Sequence, residues 1–423
     1  MSSKSKATVT TEDEKLAPVP RLRFPEFQNA EGWDTGKLGD VADFVNEKVP
    51  LERVTLESYV STENILPDYG GVTRASKLPN TESVTRYRPD DTLVSNIRPY
   101  LKKVWVADKE GGASNDVIVI RAKQRLVAKY LSCMLKNDAF INFVMTGAKG
   151  VKMPRGDIAS MKAYPTLYPS KPEQQKIANC LTSLDEVIAA QRQKLDALKT
   201  HKKGLMQQLF PREGETFPRL RFPEFRAAGD WVERNLEAIC KIQRGKFSHR
   251  PRNDPRFFGG KYPFIQTGDV VKSNGGSVQA SQTLNELGLS VSKLFKPPIV
   301  LITIAANIGD TGLLDREACF TDSVVGLIPN KDICPYFLEL AVRGKKEYLN
   351  KIAPAAAQKN INNEILSLLP LLVPKFEEQQ RIASCLSSLD GLIAAQGDKL
   401  EALKTHKKGL MQQLFPSPEK FEA

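Results

Sequence analysis

The sequence predicts an α+β protein built as an internal duplication: two similar mixed α/β blocks, each followed by a copy of one long helix. Three observations carry this. PRLRFPEF stands at 20–27 and again at 218–225, with Trp33 and Trp231 at the same distance behind it. Glu173–Pro211 returns as Glu378–Pro416, with 31 of 39 positions identical. The stretches between share little beyond a similar order of strand-like and helix-like runs. The offsets, 198 and 205 residues, are far longer than a solenoid period. The expected boundaries are a disordered tail (1–19), a first block (20–171), a first helix (172–211), a linker (212–217), a second block (218–376), a second helix (377–416) and a short tail (417–423).

In the first block Thr92–Ser95, Val104–Ala107 and Val117–Ile120 read as strands, because β-branched residues dominate between turn-forming neighbours. Tyr130–Met145 reads as one helix. In the second block Phe264–Gln266, Ile299–Ala305 and Ser323–Ile328 read as strands, and Pro335–Ile352 holds a helix. The order of elements matches, so both blocks are expected to share a fold and differ at the surface.

The repeated segment carries a seam whose steps alternate four and three: Ile177, Leu181, Leu184, Ile188, Gln191, Leu195, Leu198, Lys202, Leu205 and Leu209. Its copy runs Ile382, Leu386, Leu389, Ile393, Gln396, Leu400, Leu403, Lys407, Leu410 and Leu414. Such steps place one stripe on one helix face, repeating every 3.5 residues, as in a coiled coil. The polar seam residues, Gln191 with Gln396 and Lys202 with Lys407, cost stability but fix register and partner. Ser170 and Glu173 suggest a capping box, with Pro172 tolerated in the first turn; Pro211 and Pro416 stop the helices. Two helices of one sequence in one chain most simply pack on each other. At ~1.5 Å per residue they span roughly 58 Å, enough to hold two blocks well apart.

The net charge of +12 sits in the blocks. Residues 28–171 hold 21 Lys+Arg against 17 Asp+Glu, and residues 226–375 hold 20 against 14. That distribution suggests a polyanionic partner. The six cysteines contain no CxxC pair and there are three histidines, so no metal site and no histidine-based catalysis is expected. No apolar run approaches the ~18 residues of a membrane helix, and the polar N-terminus is no signal peptide, so the expected setting is cytoplasmic, without membrane contact. There is no GxxxxGK[ST] phosphate loop, no GxGxxG, no HExxH and no Asn-Pro-Pro-aromatic motif of adenine methylation. No catalytic residue is assigned.

Candidate polyanion contacts occur in both blocks. In the first, Arg98, Tyr100, Lys102 and Lys103 follow a strand, Arg74 and Lys77 (with Arg86 and Arg88) lie upstream, and Lys149, Lys152 and Arg155 flank glycines. In the second, Arg244, Lys246, His249, Arg250, Arg252 and Arg256 crowd within 13 residues. Lys272 and Asn274 occupy an expected exposed loop ending in Gly275-Gly276, and Gln358, Lys359 and Asn360 open an amide-rich run. Arginine suits guanine edges, amides suit adenine edges, and lysine suits phosphate.

With these motifs in order, the chain resembles the specificity subunit of type I restriction-modification systems. The resemblance rests on RFPEF followed by Gly32-Trp33 and Lys37-Leu38-Gly39-Asp40, on Glu173-Gln174-Gln175 and Glu378-Gln379-Gln380 opening the helices, and on HKKGLMQQLFP closing them. The second copy departs from the Lys-Leu-Gly-Asp turn at Asn235-Leu236-Glu237-Ala238, which reads as drift within the same domain. The resemblance implies two target recognition domains, each reading half of an asymmetric bipartite site on double-stranded DNA. It implies an antiparallel coiled coil with pseudo-twofold symmetry that sets the half-site spacing and docks two modification subunits. Two restriction subunits join them. S-adenosylmethionine, ATP and Mg would belong to those partners, with no cofactor bound by this chain and no catalysis of its own. From the residues alone two other readings stay open: a coiled-coil scaffold with protein-binding heads, and a stand-alone nuclease.

Overall fold

The computed structural model describes residues 19–305, 307–353 and 360–416. Gln358, Lys359 and the expected tails, apart from Val19, lie outside the described residues. The long helices run Lys171–Leu209 and Phe376–Leu414. Each ends one residue before a Phe-Pro pair, because a residue preceding proline disfavours the α conformation. The chain folds into two compact units. One takes in the chain up to Arg192 and from Asp398 onward; the other is Gln193–Gly397. Each unit therefore contains one block and a piece of both long helices.

In the first unit, Asp34–Lys37 pairs antiparallel with Pro165–Tyr168. A four-stranded antiparallel sheet follows the order Ala42–Phe44, Val117–Ala122, Thr92–Ser95, Val104–Val106. A second sheet orders Lys48–Pro50, Ser83–Tyr87, Gly111–Ala113 and Tyr59–Val60. The central strands Thr92–Ser95 and Val117–Ile120 do not alternate with polar exposed residues because they are buried on both faces. The second unit repeats the plan. Val232–Asn235 pairs with Pro370–Val373. One sheet orders Cys240–Arg244, Val324–Pro329, Ile299–Thr303 and Thr311–Leu314; the other orders Gln282–Leu284, Phe258–Ile265, Ala318–Phe320 and Leu294–Phe295. The drifted turn keeps its structure: Leu38–Val41 and Leu236–Ile239 are both single helical turns opening on a fully buried leucine.

Two expectations are corrected, the single helix over Tyr130–Met145 and the capping box. Tyr130–Met145 is two helices, Ala128–Leu135 and Asp138–Thr146, because the Asn137 side chain accepts from the Ala139 amide and caps the second. Pro335–Ile352 holds a helix as expected, Pro335–Gly344, followed by a second, Lys346–Ile352. The capping box is replaced by a longer-range contact. Arg23 of the RFPEF segment grips Glu173 with Nε at 2.8 Å and Nη2 at 2.7 Å, while its guanidinium also donates to the carbonyls of Ala30 and Glu31. Arg221 and Glu378 repeat this at 2.8 and 2.7 Å, with Ala228 and Gly229. Both carboxylates are buried.

The glutamine after each glutamate is equally committed. Gln174 accepts from the Val127 amide and donates to the carbonyls of Arg125 and Pro169. Gln379 does the same with Cys334, Asp332 and Pro374. Each thus pins the start of a block helix, whose first amides have no partner within the helix. The RFPEF and EQQ motifs recur together because they form one joint between block and helix.

The seam packs antiparallel within each unit. In the first, Ile177 and Leu181 share a core with Met411, Leu414, Trp33 and Tyr130, and Phe415 meets both rings. In the second, Leu209 joins Ile382, Leu386, Trp231 and Phe337, with Phe210 against the last two. Leu195 and Leu400 are buried, and Leu184, Ile188, Leu198, Leu389, Ile393 and Leu403 half-buried. The seam lysines find acids on the opposite helix: Lys407 pairs with Asp185 and Lys202 with Asp390, each at 2.5 Å, with the lysines only 13% and 12% exposed.

Candidate nucleic-acid interface

In the first unit the chain leaves the central strand at Ser95 and turns through Arg98 and Lys102, both left-handed with φ of 52° and 54°. Ile97 bridges Arg155, and the Arg98 amide donates to Pro154. A hairpin closed by paired backbone bonds between Lys149 and Arg155, both 2.9 Å, lies alongside. The loop before the closing strand joins them, since the Asn96 amide donates to Asp116 and the Gly156 amide to Asn96. Arg98, Tyr100, Lys149, Lys152 and Arg155 are thereby brought together and exposed. Arg155 donates from Nη2 to Asp116 at 2.7 Å. Among the described residues, no hydrogen bond or ion pair engages the side chains of Arg98, Tyr100, Lys149 or Lys152.

Lys102 and Lys103 are not free cations. Lys102 pairs with Asp138 at 2.6 Å, and Lys103 donates to the Thr62 carbonyl at 2.6 Å. Both are half-buried and tie the loop to its neighbours. Arg74 pairs with Glu57 in an exposed contact and Lys77 is exposed nearby. Arg86 and Arg88 share Glu47. Arg86 lies in a strand of the second sheet and Arg88 follows it, and no described contact joins Arg74, Lys77, Arg86 or Arg88 to the Arg98 loop.

In the second unit Asp322 organises the basic cluster. Its carboxylate accepts from Arg252 at 2.7 Å and Arg250 at 3.3 Å, and its carbonyl from Arg244. Arg250 also spends Nη1 on the carbonyls of Phe247 and His249. Lys246 is exposed beside them, with its amide on Phe320. Arg256 and His249 face Asp254 instead. Lys272 corrects the loop expectation, since it lies in the last turn of the helix Thr267–Ser273; the exposed turn begins at Asn274, the left-handed cap of that helix, whose carbonyl accepts from Arg343.

The two units match position by position. Ser95 faces Val117 as Thr303 faces Val324. Two residues on, Ile97 bridges Arg155 as Ala305 bridges Asn360. Asn360 therefore holds in its own unit the place of Arg155. Asp116 and Asp322 both lie in the loop before the closing strand. Sequence reading passed over these two acids; their signal is an aspartate one or two residues before a β-branched run in each block, Asp116-Val117-Ile118 and Asp322-Ser323-Val324-Val325. Among the described residues no group of three His, Cys, Asp or Glu side chains could hold a metal ion, and no helix is long and apolar enough to cross a membrane.

Residues 30–200 and 228–405 each match the family model of the type I restriction modification DNA specificity domain. The MjaVIII type I specificity subunit of Methanocaldococcus jannaschii is 23% identical over 95% of both chains. The putative MjaX specificity subunit of the same organism is 25% identical over 69% of this chain and 64% of its own, so this chain spans somewhat under two thirds of that relative. Among solved structures, the type I S subunit from M. genitalium superposes with a TM-score of 0.61 at 16% identity, covering 94% of this chain and 99% of that one. A chain from a study of type I assembly and conformational transition gives 0.57 at 21% identity, covering 91% and 98%. These likenesses show the fold.

Proposed function

The chain belongs to the type I restriction-modification DNA specificity family, and from that premise we propose that each of its two blocks reads one half of an asymmetric bipartite site on double-stranded DNA. The observation that carries this is the matched pair of loop clusters. Matched bridges put Arg155 in one unit and Asn360 in the other at the same place; Arg98 and Lys152 lie beside the first, and Arg244, Lys246 and Arg252 give the second unit its own cations from the end of Cys240–Arg244 onward. One scaffold with two sets of polar side chains suits two half-sites of different sequence. Cations on the loops hold phosphates, and planar donors reach base edges.

The long helices serve two purposes in this reading. They set the distance between half-sites, and their outer faces dock two modification subunits, to which two restriction subunits are added. Val187 and Leu392, the same position of the two copies, are about half exposed, as apolar docking residues would be. Methyl transfer from S-adenosylmethionine and ATP- and Mg-dependent cleavage fall to the partners, and this chain contributes recognition without catalysis.

The test is selection from a randomised duplex library by the full chain co-purified with its modification subunit. The expected product is a split site with unlike halves and a fixed spacer, bound more weakly as salt rises. Deleting Ala189–Leu195 and Ala394–Leu400 together keeps the 3.5-residue phase and shortens each helix by about 10.5 Å. The selected spacer should then shrink by roughly three base pairs at ~3.4 Å each. Enrichment of no common sequence by the unmodified chain would defeat the reading.

A further inference from the structure

Each unit holds one exposed arginine by a single ion pair to the loop before its closing strand. Arg155 gives Nη2 to Asp116 at 2.7 Å and Arg252 gives Nη2 to Asp322 at 2.7 Å. The arginine side chains remain 57% and 49% exposed. In both, Nε, Nη1 and the second Nη2 hydrogen have no partner among the described residues. The acids come from the same loop of the fold, but the arginines come from different ones, the 149–155 hairpin and the 246–252 segment. The same construction has thus been reached twice from unrelated residues.

A guanidinium reads guanine by presenting two coplanar N–H groups to O6 and N7. A free arginine side chain loses rotamer entropy when it is fixed on a base. An acid that holds one corner fixes the plane beforehand and leaves a donor pair outward. The other arginines are held differently: Arg244 is anchored through Nε to the Asp322 backbone carbonyl and not by a carboxylate, and Arg256 is closed onto Asp254. Arg250 has its guanidinium turned onto backbone carbonyls and Asp322, while Arg98 has nothing to orient it.

We propose that Arg155 and Arg252 are the guanine-reading side chains of the two recognition units, with Asp116 and Asp322 as the residues that position them. This rests on the bipartite-site reading above. It requires a guanine·cytosine pair in each half-site, one read by each arginine.

The test uses the duplex selection already described, with Arg155→Lys, Asp116→Asn, Arg252→Lys and Asp322→Asn in the full chain with its modification subunit. Lysine keeps the charge for phosphate but cannot make the bidentate contact. Arg155→Lys should therefore lose roughly ten- to a hundredfold of discrimination at one G·C pair of one half-site, with the other half-site and the spacer unchanged. Asp116→Asn should relax the same pair by a smaller factor. Arg252→Lys and Asp322→Asn should do the same in the opposite half. A wild-type chain that selects a split site while the lysine variants select it with equal strictness overturns the assignment and leaves the bipartite reading standing. So does a half-site without a G·C pair. A wild-type chain that selects no split site overturns both.

Discussion

Arg23 and Arg221 bind their glutamates in buried, two-pronged contacts, and each guanidinium is also spent on two carbonyls. Removing one partner of such a pair leaves a buried charge, which costs about 3–5 kcal/mol. Arg23→Ala should lower the denaturation midpoint of the chain by that order, whereas the exposed Arg74→Ala, which breaks the pair with Glu57, should change it by under about 1 kcal/mol. Glu339 makes a second test. Burial is the main cause that moves its carboxyl from the usual 4.5 to about 7, opposed by Arg343, the Thr311 hydroxyl at 2.6 Å and Lys202, and reinforced by Asp390. A raised carboxyl pKa means that the folded chain holds the proton more tightly. The stability this contributes is fully present below pH 4.5 and is lost as pH rises through about 7. The difference is about 3 kcal/mol. Glu339→Gln should flatten the decline of melting temperature between pH 5 and 8; an unchanged slope would show that Glu339 does not carry it. At this scale the sequence was partly legible. It marked RFPEF and EQQ as repeats, but that Arg23 meets Glu173 across 150 residues is a fact of topology. The loop cations were legible as exposed basic residues; that Lys102 and Lys103 are spent internally depends on Asp138 and Thr62, which no local pattern connects to them.

The seam was the most legible element, because its periodicity is long enough to outweigh local exceptions. The polar seam lysines were legible as register devices, and the structure supplies their partners: Asp185 for Lys407 and Asp390 for Lys202. The acids sit outside the apolar stripe, so no heptad count finds them. Asp185→Lys should place two ammonium groups together in a half-buried site and destabilise the helix pair. Adding Lys407→Asp to it should restore most of the loss, giving a coupling of roughly 1–3 kcal/mol in a double-mutant cycle of denaturant midpoints. A coupling near zero would mean that the lysines are solvated and do not set register. The sheets were less legible. Strands buried on both faces stood out as apolar runs, but short edge strands such as Lys48–Pro50 and Tyr59–Val60 are defined by their partners. The break in Tyr130–Met145 is not legible in its apolar pattern, because it depends on the Asn137 side chain acting as a cap.

At the scale of the whole molecule, duplication explains why the same joint, the same sheets and the same helix pairing occur twice while the loops differ. The joints are conserved between the two copies because Arg23–Glu173 and Arg221–Glu378 are built from the repeated motifs, and the recognition loops are free to change because they hang from strands whose pairing does not involve them. The central claim is that each block reads its own half-site. The measurement that tests it most directly is sequencing of the duplexes selected by a chain in which residues 28–171 are replaced by the corresponding block of another family member. One half of the selected site should change to a new sequence, while the other half and the spacer stay as in the parent. A change in both halves, or in neither, would contradict the account.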